Sequence, residues 1–245
     1  MGRTKTAHGG DPLERFALDG GESELTSETV WPALERAGFS QSAAVRERVS
    51  ELVEEGRGLL EPRALGHVLA AEALSEEERE MLPAPVREAE YLCFCVATAG
   101  RAIDRRSKAL CDEGELIDSM ILDAVAMTAL SAIGDRLARG IFDWASSRGL
   151  SASRAFSPGA GASGWPLEMQ RFLFAHLPDR PLGVELTPHC LMRPSKSVSF
   201  VIGIGGRITQ AKHPFSCEGC PRVECAYRHI PDQEMVRSAG GEGSG

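Results

Sequence analysis

A chain of 245 residues with 42% hydrophobic residues is long enough to bury a real core and too apolar to remain disordered. Its net charge of −8 argues against nucleic acid as a partner, because phosphate contacts need clustered Lys and Arg. Residues 1–20 hold no apolar leader, and the seven cysteines are odd in number, which points to a cytoplasmic protein with metal or redox chemistry ahead of disulfides.

In chain order, residues 1–25 are charged, Gly-rich and aperiodic, and read as a flexible tail. A helical N-terminal region follows over 26–84. Val30-Trp31, Leu34 and Ala37 mark a short helix ended by Gly38, and Val45, Val49 and Leu52-Val53 mark a second over 42–55. Two more helices are expected over 61–73 and 75–81, the latter opened by Ser75 with Glu78 three residues on, the spacing of a capping box.

The pattern then changes. Tyr91-Leu92-Cys93-Phe94-Cys95-Val96-Ala97 is a short apolar run that reads as a buried strand, with Cys93 and Cys95 on one face. Such thiols are more often core residues than metal ligands. A helix over 100–111 ends at Gly114, and the longest periodic segment covers 115–148 with Gly149 at its C-terminal cap. Asp118, Asp123 and Asp135 interrupt it, which speaks against a membrane span, and Asp123 falls within the apolar face, where an unpaired carboxylate is costly.

A strand is expected over 151–156, a stiff Gly/Pro loop over 157–166 and an amphipathic helix over 167–177. The loop lacks the spacing of a dinucleotide or P-loop fingerprint. Pro188 and Pro194 then bound an extended segment, and a strand begins near Ser197. Gly205-Gly206 predicts a tight hairpin with 207–212 as the returning strand. The fold class is α+β, with a mixed or antiparallel curved sheet packed against long helices over 85–212. A Cys-rich clip occupies 213–232, and 233–245 is a disordered tail.

The clip reads Cys217-Glu-Gly-Cys220-Pro-Arg-Val-Glu-Cys225, a spacing that lets two thiolates grip one ion and a third close over it. Cys190, His213 and His229 are candidates for the fourth ligand. Four cysteines would favour a [4Fe–4S] cluster and a histidine would favour zinc.

Leu186-Thr187, Met192, Pro194 and Lys196-Ser197-Val198-Ser199, together with Arg154-Ala-Phe-Ser-Pro158-Gly159 and the downstream Trp165 and Gln170, resemble a known set. They are similar to the activation (reactivation) domain of cobalamin-dependent methionine synthase, and above all to its stand-alone relatives. The resemblance spans about 90–228 and implies reductive reactivation of a corrinoid protein by methyl transfer from S-adenosylmethionine. No corrinoid-binding D-x-H-x-x-G segment occurs, so cobalamin would arrive on a partner, a corrinoid protein or corrinoid-dependent methyltransferase, with an electron donor as a further partner.

By the same resemblance Arg154 would hold the donor's carboxylate, with Ser157, Pro158, Gly159, Gly161, Lys196 and Ser197 completing the cofactor site. The need for a low-potential electron favours iron–sulfur on Cys190, Cys217, Cys220 and Cys225. Three departures stand out. Ala160 replaces the family's tyrosine after the Pro-Gly pair, Arg207-Ile208 replaces an aromatic pair, and the family's N-terminal aspartate has no clear equivalent. The alternative is a metal-clipped scaffold of the same fold that has lost the methyl donor.

Overall fold

The computed structural model describes residues 13–20, 25–160 and 164–215. At its centre is a curled antiparallel sheet whose strands, in spatial order, are β1 (Glu14–Asp19), β2 (Arg63–Ala70), β3 (Tyr91–Thr98), β7 (Ser197–Gly205) and β4 (Ser151–Ala152). β3 is the middle strand, and Leu92 through Ala97 are wholly buried because helices or turns cover both sheet faces. Around this sheet the α+β class expected from the sequence is realised.

Strand alternation sorts the two faces. Cys93, Cys95 and Ala97 join Phe200, Ile202 and Ile204 on the first face, under α1 (Ser27–Arg36), α2 (Ala43–Leu59) and α5 (Leu116–Ser146). Leu92, Phe94 and Val96 join Leu69 and Val201 on the second, under Leu82, Val86, Trp165 and Leu173. Cys93 and Cys95 are free thiols with sulfurs 3.6 Å apart and no exposure, so they are core residues. Burial, and then the neighbouring Cys93 thiol, pushes the Cys95 thiol well above the usual range.

Helix α5 is 31 residues long, about 46 Å at ~1.5 Å per residue. Length and composition would let it cross a membrane, but here its apolar residues from Ile121 on pack largely on the sheet and on α2 and α4 (Arg101–Glu113), while Leu116, Ile117 and Met120 at its start are exposed. Asp118 near its start is paired with Arg48 of α2, which holds the carboxyl below its ordinary range. The short α3 (Glu76–Glu80) has the predicted capping box: Glu78 N–H donates to Ser75 Oγ and Ser75 N–H to Glu78 Oε2.

Three local expectations are corrected. The 61–73 segment is not a helix. Arg63–Ala70 is β2, paired to β1 on one side and β3 on the other. Gly66 sits where a Cβ would lie 3.1 Å from Cys93 Sγ, a close approach that a helix reading gives no reason for. Within the expected tail, Glu14–Asp19 forms β1, where Phe16 and Leu18 turn to the core while Arg15, Ala17 and Asp19 face solvent.

The Gly205-Gly206 hairpin does not form either. Both edges of β7 are already occupied, by β3 and by β4, so no returning strand can pair there. Neither glycine has positive φ. Instead Gly206 N–H is capped by Glu90 Oε1 at 2.7 Å. The 207–214 segment passes along the outer side of β4, with Ala211 N–H on Ala152 O (2.9 Å) and Ala155 N–H on Pro214 O (2.7 Å).

Candidate functional site

Beyond β4 the chain stays on the edge of β7. Ser153 N–H donates to Gly203 O at 2.8 Å, and Phe156 and Val201 exchange two backbone bonds of 2.9 Å. Arg154 lies between these anchors, part-buried, with its guanidinium carbon 4.4 Å from the Phe156 ring centroid. This stacking sets the direction of a side chain that would otherwise sweep through solvent.

The following loop is tied at both ends. Gly159 N–H donates to Trp165 O at 2.8 Å, and Gly159 adopts φ +79° where a Cβ would sit 2.9 Å from Leu167 Cδ1. Trp165 is buried and donates its indole N–H to Met81 O at 2.8 Å. Gln170, at the start of α6 (Gln170–Ala175), is buried and its Oε1 accepts from Ser199 Oγ at 2.6 Å. Pro158 is buried and Ser157 part-buried beside them. Gly161 lies outside the described residues.

Lys196 and Ser197 do not converge on one slot with each other, because successive strand residues point to opposite faces. Lys196 turns to the first face, where Nζ donates to Asp123 Oδ2 at 2.9 Å. The other oxygen of Asp123 accepts from Ser107 Oγ of α4 at 2.6 Å. This carboxylate on the apolar side of α5 is thus fully partnered, and it knots α4, α5 and the start of β7 together. Ser197 turns to the second face, with Oγ 2.9 Å from both Thr98 Oγ1 and Pro194 O. Ser195 is fixed from the other side by Asp104, a contact with no sequence signal.

Cys190 is buried at φ +61° in the turn between β5 (Glu185–Leu186) and β6 (Met192–Arg193), its N–H on Thr187 O at 3.0 Å. Cys217, Cys220, Cys225 and His229 lie outside the described residues, and His213 is exposed. Among the described residues no three His, Cys, Asp or Glu side chains are grouped to hold a metal ion. Of the family's aromatic pair, the replacements Arg207 and Ile208 differ in fate: Arg207 is exposed, whereas Ile208 is buried in the second-face core.

One buried imidazole had no part in the sequence reading. His67 of β2 is 6% exposed, faces Phe94 across the ladder, and leaves Nε2 without a partner among the described residues. Burial first, and Arg15 on β1 second, hold its pKa below the ordinary value.

No protein-family model matches the chain, and no curated protein does. Among solved structures the chain is similar to the MetH reactivation domain bound to AdoHcy, with a TM-score of 0.54 and 12% identity over 84% of this chain and 82% of that one. At this identity the likeness is one of fold.

Proposed function

We propose that this protein binds S-adenosylmethionine at the loop after β4 and donates its methyl group to a corrinoid presented by a partner protein. The observation that carries the reading is the fold likeness to a reactivation domain that holds S-adenosylhomocysteine, the demethylated product of that donor. It is supported by the position of Arg154-Ala-Phe-Ser-Pro158-Gly159 along the β7 edge, where Gly159 N–H is held by Trp165 O at 2.8 Å.

The chemistry asks little of acids and bases. One electron converts Co(II) to Co(I). The cobalt electron pair then forms the new Co–C bond as the methyl–sulfur bond breaks and sulfur keeps its pair. What the chain must do is position the sulfonium and hold the donor's charged end. Arg154 would bind the donor carboxylate, while residues 157–159 offer backbone groups at close range. Lys196–Asp123 and Ser197–Thr98 serve the shape of the domain in this scheme and leave the reaction untouched. The electron would come from a separate donor or from a cluster held by the 217–225 cysteines with Cys190.

Calorimetry with S-adenosylmethionine tests the proposal. Saturable binding is expected, and Arg154→Ala should weaken it at least ~10-fold, in line with ~1.5–3 kcal/mol for hydrogen bonds to charged groups. Its melting temperature serves as the control that separates lost binding from lost folding, because Arg154 also stacks on the buried Phe156. Absence of binding by the intact protein would favour the second reading, a scaffold of this fold without donor chemistry. Ala160 and the burial of Ile208 speak for that reading, because both remove an aromatic contact from the loop's surroundings.

A further inference from the structure

Toward the Ser197 end of β7, a cavity of about 270 Å³ opens between the start of α4, the adjoining ends of β2 and β3, and the 181–183 turn. Its walls carry Arg63, Arg101 and Arg105 against the single carboxylate of Glu61, +3 against −1, in a chain whose net charge is −8. We propose that this cleft binds the phosphoryl group of a small phosphorylated ligand.

Two of the arginines are held mainly by uncharged groups and only loosely paired with carboxylates. Arg63 Nη2 donates to Leu182 O at 3.2 Å and Arg101 Nη2 to Gly183 O at 2.8 Å, so uncharged carbonyls fix both guanidinium groups. Their nearest carboxylates, Glu61 and Glu185, stand 3.9 and 3.8 Å away on exposed side chains, and Glu185 is shared with Arg180. Exposed pairs of that length discharge little. Arg63 Nε is buried and has no acceptor among the described residues. Arg105 makes no hydrogen bond or ion pair among them.

The backbone adds donors to the same wall. Helix α4 starts at Gly100, which lines the cleft, and no side chain caps its first-turn amides. Gly100 has φ +100°, and a Cβ there would meet Glu61 at 2.9 Å, so the helix can begin here only on glycine. Free amides, a helix dipole and three guanidinium groups around one small cavity match a compact, multiply charged oxyanion. The volume is just below the ~300–1,000 Å³ of drug-sized pockets, which suits a phosphoryl headgroup.

The cleft shares no residue with the loop at Arg154, although Thr98 and Pro194 connect it to Ser197. Titrating the full chain at low salt with inorganic phosphate and with glycerol 3-phosphate, against sodium chloride as control, tests it. One-site saturation by either phosphate with none by chloride is expected, and the tighter probe tells a free ion from an ester. Arg105→Glu should lower that affinity at least tenfold with an unchanged melting temperature, because Arg105 is exposed and makes no hydrogen bond or ion pair among the described residues. Its S-adenosylmethionine binding should match that of the wild type, which separates this site from the donor loop. No saturation by either phosphate, or wild-type affinity in Arg105→Glu, overturns the proposal.

Discussion

Single side chains divide here between those that shape the domain and those free to meet a ligand. Lys196 belongs to the first group. Its side chain is 18% exposed and its ammonium is bonded to Asp123, whose side chain is 44% exposed and also held by Ser107. A double-mutant cycle with Lys196→Met and Asp123→Asn should return a coupling of about 1 kcal/mol in chemical denaturation, the upper range for partly exposed pairs. His67 makes a different kind of prediction. Its folded pKa lies below the unfolded value of ~6.5, so in acid the unfolded chain takes up a proton that the folded chain refuses. Stability should therefore fall as pH drops below ~6.5, and His67→Leu should flatten that part of the profile measured by thermal melting.

At the scale of elements, β7 is the piece on which the others converge. It pairs with β3 over Ser197–Ile204 and with β4 at its end, and it carries core residues on both faces. Gly203 marks its tightest approach: a Cβ there would stand 2.7 Å from Val86 Cβ and Cγ1 and 3.3 Å from Ala89 Cβ. Gly203→Ala should cost about 1–3 kcal/mol in equilibrium unfolding, the range for overpacking a closed core, because the 84–86 turn must shift outward. A stability equal to wild type would show that this turn yields easily. The rim of the phosphoryl cleft is also built by elements and not by a motif, since β2, β3, α4 and the 181–183 turn each supply part of it.

For the molecule as a whole, periodicity was enough to find α2, α5, β3 and β7, because each keeps a long or strongly apolar pattern that local sequence displays. Turn and cap chemistry was equally legible at Ser75, Gly114 and Gly149. The Gly/Pro loop after β4 was legible in the sequence as a loop, and the structure ties it through Gly159 N–H on Trp165 O at 2.8 Å. The basic cleft was not visible. Local pattern puts Arg63 within a 61–73 helix, and nothing local links it to Arg101, Arg105 or Gly183. By itself the amino-acid order determined the α+β class, the long apolar helix and the central buried strand, since these rest on spacing within one segment. Only the tertiary structure decided that 63–70 is a strand, that β4 takes the place a hairpin partner would need, and that Asp123 meets Lys196. Each of those outcomes depends on pairing between residues far apart in the chain, where neighbouring edges and opposite charges compete and no local pattern records the winner.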